Sequence, residues 1–412
     1  MGEVFYITAP RAKRMLRSSD ELQNIFFDNK ASELVTLLVV PTRVKKQSQK
    51  QSQNQAVSPS AASTASAATT NAQSGRLDLS PSQKAVVVSQ KLTDATAATR
   101  NPLDTFSTLP LDILSMIFDH LDDIADLTCV ALATPYLWDV TQRTIHQRYK
   151  AKLGKWAGEA IVCVGEKIPA GDYPPDLFSP DEVERLNKEA DVYFGGGCGR
   201  FLARPQKSPR TLANLAYPPN GTFDREGITA DAEASRVFYA CLRRCSRYPS
   251  TELRARLRRW IYTDRPDFAP REEDWILRNL TTKEFVTAEG IALDTDFING
   301  PFISGIGFGD AVVARTLWTA KGTPDLRYVP QIGRGIWAGH RFDITTRSGH
   351  DEATKDEEWR DVSEEVASEI AGIWGSQFGP HWLDVGHFYQ RFYEENESER
   401  TYADIWDEHL DQ

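Results

Sequence analysis

Residues 107–122, STLPLDILSMIFDHLD, decide how this chain divides. Thr108 is a good helix N-cap, and Pro110 falls in the first turn, where its missing N–H costs nothing. The spacing predicts a helix to about Leu121 with two apolar rows. Leu109, Ile113 and Ile117 make the first row, and Leu114, Phe118 and Leu121 make the second. Together they exceed the apolar stripe of about 100° that an amphipathic helix needs against one core. Only Asp112, Ser115, Asp119 and His120 are left to face water. Two inward faces on so short a helix call for two sets of neighbours.

The following residues supply one set. Asp122 or Asp123 caps a second predicted helix carrying Leu127, Val130 and Leu132. Thr134 and Pro135 repeat the cap-plus-proline start for a third, with Leu137, Trp138, Val140, Ile145 and Tyr149. Three helices in about forty residues make a poor independent core, so the surplus apolar surface is expected to meet another protein or the rest of the chain.

The run LPLDILSMIFDHLDDIADLTCVALATPYLW resembles an F-box. That family opens on Leu-Pro, has an acidic residue two places on, and continues in aliphatics ending in Leu. Leu109, Pro110, Asp112, Ile113, Leu114, Ile117 and Leu121 match it position by position. Ala133 to Tyr136 stand where the family has a Val or Cys and basic residues before Trp138, and one extra residue separates Leu121 from Leu127.

The resemblance implies binding of the adaptor Skp1, and through it a cullin-RING ligase, with Leu109, Pro110, Ile113, Leu114, Ile117, Phe118, Leu121, Leu127 and Trp138 at the contact. One row would hold the helices together and the other would dock on Skp1; the sequence leaves open which. WAGEAIVCVG, PPDLFSPDEVERLN, WILRNLTTKEFV and GIWAGHRFDIT, further on, resemble segments of uncharacterised F-box proteins of basidiomycete fungi.

Outward from the module, the 412 residues divide by composition. Residues 1–43 read as a short segment with one possible helix, its apolar positions being Leu22, Ile25, Phe26, Leu34, Leu37 and Leu38. Residues 44–101 are rich in Ser, Ala, Gln and Thr and hold no aromatic residue, so they are expected to be a disordered linker. Ser58-Pro59 and Ser80-Pro81 read as ordinary linker residues there.

All ten tryptophans lie beyond Pro102, which places the folded mass in the three-helix module of 102–150 and a C-terminal region of 151–412. In that region Ser179-Pro180-Asp181-Glu182 is a capping box opening a helix with Val183, Leu186 and Ala190 inward. Residues 160–164, 283–287, 306–308, 311–319 and 336–344 read as strands, and 361–374 as an amphipathic helix with Val362, Val366, Ile370 and Ile373 on one side. The expected fold class is α+β: a disordered segment, a short three-helix module, then a mixed domain with a mostly antiparallel sheet.

Composition also limits function. A formal charge of -10 disfavours nucleic acid and anionic membrane as partners. The arginine-rich run of residues 242–260 is expected to pair with the acidic tail, for instance with the acids of 351–369. No apolar run is long enough to span a bilayer. Five irregularly spaced cysteines read as thiols, which points to cytoplasm or nucleus.

The run Gly195 to Gly199 fits no phosphate-loop or nucleophile pattern, Cys241 and Cys245 lack partners for a metal, and His340 reads as a structural histidine. No cofactor, metal or catalytic residue is expected. The functional expectation is a non-catalytic substrate-recognition subunit of an SCF-type ubiquitin ligase, holding an unknown protein target through residues 151–412. The alternatives are a Skp1-bound scaffold that delivers no substrate, and an enzyme acting through residues 151–412.

Overall fold

The computed structural model describes residues 2–42, 106, 109–188, 190–193, 206–216, 223–226, 230–245, 250–263, 267–320, 326 and 332–399. All of the predicted linker of 44–101 lies outside them, as does the glycine run of 195–199. The chain forms two compact units, one of residues 1–43 with 145–412 and one of residues 44–144.

In the large unit ten strands build two five-stranded sheets. They are β1 (Val4–Ala9), β2 (Arg14–Glu21), β3 (Glu159–Ala160), β4 (Val162–Gly165), β5 (Asp224–Glu226), β6 (Trp275–Asn279), β7 (Glu284–Thr287), β8 (Leu317–Trp318), β9 (Arg341–Thr346) and β10 (Arg360–Asp361). One sheet has the order β8-β4-β1-β2-β5 and the other β10-β7-β6-β9-β3. Within each the central pairings are antiparallel, while β8, β5 and β10 add to the edges in parallel. The region is therefore mixed α and β, with antiparallel centres to both sheets.

The N-terminal residues correct the expectation of a short separate segment with one helix. They form β1, β2 and two helices, α1 (Leu22–Phe27) and α2 (Ser32–Leu38), all within the large unit. β1 is the middle strand of its sheet, and its side chains alternate between two cores. Phe5, Ile7 and Ala9 enter the main core with Trp156, Trp275, Trp337, Phe342 and Trp374. Tyr6 points to a smaller core with Val162, Val164, Leu177, Leu186 and Leu212.

The hydrophobic pattern hid this because a strand buried on both faces shows no polar alternation. The β1–β2 turn offers no Asn-Gly or Asp-Gly signal; Lys13 takes the positive φ of 54° there. Asn29, also at φ 54°, separates α1 from α2 where one continuous helix was expected.

Three predicted strands are also corrected. Residues 308–316 form helix α3 (Phe308–Thr316), every residue of which is buried. A helix apolar all round loses its 3.6-residue signature and imitates a buried strand. At its N-terminus the Gly307 N–H donates to Asp310 Oδ2 at 2.9 Å, so the Asp310 side chain satisfies the backbone donor that precedes the helix. The predicted strand of 306–308 is thus the entry to this helix, and the strand predicted over 336–344 starts only at Arg341, after a turn.

α3 packs on the N-terminal residues so closely that a Cβ on Gly309 would lie 2.1 Å from the Ala31 carbonyl oxygen. Helix α4 (Ser363–Phe378) fulfils the amphipathic expectation, burying Val366, Ile370, Ile373 and Trp374. Arg315 of α3, 2% exposed, stacks 4.6 Å from Trp337 and forks onto Glu369 of α4 at 2.8 and 2.9 Å. Helix α5 (Trp382–Glu399) follows α4 and packs on the core through Val385 and Tyr389. The capping box at Ser179 is present, with the Glu182 N–H on Ser179 Oγ and the Ser179 N–H on Glu182 Oε2 at 2.8 Å; Leu186 of that helix is buried.

The small unit holds the three predicted helices, Leu111–Asp119, Ile124–Ala133 and the start of Pro135–Lys150. Asp123 caps the second, accepting from the Ala125 N–H at 3.0 Å, and Thr134 Oγ1 accepts from the Leu137 N–H at 3.2 Å at the third. Thr108 lies outside the described residues.

Candidate functional site

The first helix of the small unit begins directly after Pro110, whose φ of -57° suits a helix start and whose carbonyl accepts from the Leu114 N–H at 3.1 Å. Its second apolar row turns inward: Leu114 is 0% and Phe118 1% exposed, and Leu121 is half-buried. Leu127 of the second helix is buried with Ile124, Ala125 and Ala131. Trp138 of the third helix is half-buried beside the buried Tyr136 and Leu137.

The first row is the outward one. Ile113 is 42% exposed, Pro110 is exposed, and Leu109 and Ile117 are half-buried. Met116, 59% exposed, extends this row; it sits three residues after Ile113 and so on the same face. Leu111, 40% exposed, flanks the buried row at the helix start. Neither Leu111 nor Met116 figured in the predicted rows. An i, i+3 reading from Ile113 would have found Met116, whereas Leu111 matches no spacing within the first row. Among nine predicted contact residues the structure thus separates a buried set, Leu114, Phe118 and Leu127, from an outward strip of Leu109, Pro110, Ile113 and Ile117. Such a strip can bind an apolar surface and has no group able to do proton or nucleophile chemistry.

Titratable side chains in the large unit mostly tie strands together. Arg278 of β6 forks onto Asp343 of β9 at 2.8 and 2.7 Å, with side chains 14% and 9% exposed, and its guanidinium lies 5.7 Å from the Trp359 ring. Removing one partner leaves the other charge largely desolvated. Arg278→Ala is expected to cost about 3 kcal/mol, read as a shift in the midpoint of urea unfolding, and little of this should persist when Asp343→Asn is combined with it.

Beside this pair, Glu284 accepts from Trp337 Nε1 at 2.8 Å and Thr282 Oγ1 at 2.7 Å and pairs with Arg360. Burial raises its carboxyl, but the bonds from Thr282, Arg360 and Trp337 outweigh burial and hold it below the usual carboxylate range. His340 meets Asn279 Nδ2 through Nδ1 at 2.9 Å, and burial depresses its basicity against the pull of Glu284 and Asp176. Asn279 is 1% exposed and accepts from the Thr281 and Thr282 N–H groups at 3.1 and 3.3 Å, fixing the β6–β7 turn. Burial drives the Cys163 thiol far up, away from thiolate reactivity.

Burial raises the Asp310 carboxyl to about 7. An unfolded aspartate titrates near pH 4, so the folded state binds a proton that the unfolded state has lost between about pH 4 and pH 7. Stability from this group is full below that window and is lost as pH rises through 7. Asp310→Asn keeps an acceptor for the Gly307 N–H. It is expected to flatten this part of the pH–stability profile and to raise stability above pH 7 by on the order of a few kcal/mol, read by calorimetry across the window.

Among the described residues no group of three or more His, Cys, Asp or Glu is placed to hold a metal ion, and no helix is long and apolar enough to cross a membrane. The acids of 351–369 pair with residues other than the arginines of 242–260, while the acids of 400–412 lie outside the described residues. Asp351 pairs with Arg347, Glu357 with Lys283, Glu365 with Arg360 and Arg315, and Glu369 with Arg315. These acids lie on elements adjacent to their partners, so local geometry satisfies them first. In the basic run itself, Arg256 stacks on Trp260 at 4.9 Å.

Comparison of the chain with protein-family models, with curated proteins and with solved structures gives no match.

Proposed function

We propose that the small unit is an F-box-like module that binds Skp1, and that the chain is a substrate-recognition subunit of an SCF-type ubiquitin ligase. The observation that carries this reading is the outward strip Leu109, Ile113, Met116 and Ile117 on a helix opened by Leu-Pro, while Leu114 and Phe118 of the same helix are buried. Association of the strip with a complementary apolar surface supplies roughly 1.5–3 kcal/mol for each aliphatic side chain fully desolvated, enough for a stable complex after association costs. Catalysis resides in other subunits of such a ligase, so residues 145–412 need only present a surface to a target. The proposed setting is cytoplasm or nucleus, where cullin ligases work.

The experiment is affinity purification of the full chain and of a chain in which residues 106–144 are replaced by a flexible Gly/Ser linker. Skp1 and cullin are expected to be lost with the replacement while protein targets of the large unit persist and accumulate in cells. Skp1 retained after the replacement contradicts the proposal.

A further inference from the structure

Beside the Arg278–Asp343 pair, an aromatic cluster encloses a buried histidine. His350, in the helix Arg347–Ala353, is 4% exposed. Its ring lies 5.4 Å from that of Phe285 on β7 and edge-on to that of Trp359 at 5.0 Å. Its Nδ1 is buried and has no hydrogen-bond partner. Trp359, half-buried, closes the cluster from the segment 354–359, which runs straight into β10. That two-residue strand is held on β7 by the Arg360 N–H on the Lys283 carbonyl and the Val362 N–H on the Phe285 carbonyl, both at 3.0 Å. A strand so short depends on the anchor beside it.

Among the described residues, the charges around this ring are already matched. Arg278 of β6 lies over Trp359 at 5.7 Å and Arg347 over Phe285 at 4.7 Å, so a guanidinium sits on each ring that flanks His350. Both oxygens of Asp343 on β9 are taken by Arg278. Asp351 accepts from Arg347 at 3.1 Å, and its side chain is 60% exposed, where water and salt screen it. Glu284 of β7 pairs with Arg360, and Glu357 accepts from Trp359 Nε1 at 3.0 Å and meets Lys283. Protonating His350 would therefore place an N–H without an acceptor, and a third cation beside two arginines, in a nearly dry site.

Burial first, and then the charge of Arg278, depress the basicity of His350; Arg347 adds to them, while Asp351 and Asp343 oppose. An imidazole released to water titrates near pH 6.5, so an open arrangement binds a proton that the closed one refuses. The closed arrangement is favoured in full above about pH 6.5. Below that it loses up to about tenfold of its advantage per pH unit, until the depressed value of the closed state is reached.

We infer that His350 is an acid-sensing latch whose protonation expels Trp359 from the cluster, opens the segment 354–359 and frees β10 from the outer edge of β7. The device stands apart from Skp1 binding.

Hydrogen exchange on the full chain, corrected for the intrinsic pH dependence of amide exchange, tests it by mass spectrometry of peptides spanning residues 352–362 at about pH 7.5 and about pH 5.5. Protection there should fall several-fold in acid, up to about tenfold, while peptides of β6 keep theirs. His350→Phe keeps a ring in the cluster and cannot titrate, so it should hold protection constant across the same range. His350→Gln, uncharged at both pH values, should behave the same way. Unchanged protection of 352–362 in the wild type, or an acid response as large in a cooperatively folded variant as in the wild type, overturns the inference.

Discussion

A chain lacking residues 1–42 is expected not to fold at all, despite retaining the whole C-terminal region. The truncation removes the central strand of one sheet and takes Phe5, Ile7, Leu16, Leu22, Phe26 and Leu34 out of the main core, all 2% exposed or less. At roughly 1.5–3 kcal/mol for each buried side chain, these six alone rival a domain's whole stability of about 5–15 kcal/mol.

β4 would lose its neighbour β1, and the Val40 N–H, which donates to the Ile344 carbonyl at 2.8 Å, would leave β9 without its cover. A single substitution tests the same contact with the chain intact. Gly309→Leu drives a side chain into the Ala31 carbonyl and should cost at least about 3 kcal/mol, because both sides are backbone and neither can yield as a side chain would. Circular dichroism and limited proteolysis check both. A truncated chain with a cooperative thermal transition would show that the N-terminal residues are an accessory.

The second large effect separates the two rows of the first helix in the small unit. Ile113→Asp combined with Met116→Asp places charge on side chains already 42% and 59% exposed, so folding should change by no more than about 0.5 kcal/mol. Skp1 affinity should fall by roughly a hundredfold or more, since two carboxylates would be forced into an apolar contact. Phe118→Ala does the reverse. Its ring is 1% exposed, and its loss should cost about 3–5 kcal/mol of stability, weakening Skp1 binding only through unfolding. Melting curves and Skp1 titrations on the same preparations distinguish the two behaviours. Equal loss of binding at matched stability would mean that the helix has no dedicated outward face.

Local signals carried through to the structure where one residue decides the outcome. The Asp123 and Thr134 caps, the Ser179–Glu182 box and the apolar side of α4 are each set within four residues or by one helical period. What failed were elements whose identity is set by distant partners. β1 reads as a featureless apolar run until β2 and β4 flank it, and α3 reads as a strand because burial on every side erases its period.

Compositional division of the chain also misled. The Ser- and Gln-rich tract looks like the end of a negligible N-terminal segment, yet the residues before it pack with those after 145. In the candidate site the two rows were legible from i, i+4 spacing, but which row faces out depends on the packing of the other helices. The sequence therefore posed the alternative that burial of Leu114 and Phe118 resolves. On α5, Phe388 and Phe392 follow Val385 and Tyr389, and only tertiary packing reveals that the latter two are the ones directed toward the core.

The decisive measurement is isothermal titration of the purified chain with purified Skp1. Saturable one-to-one binding with a negative heat-capacity change is expected, the signature of apolar burial by the strip around Ile113 and Met116. Absence of binding with Skp1 at tens of micromolar or above, from a chain whose melting curve is cooperative, would contradict it.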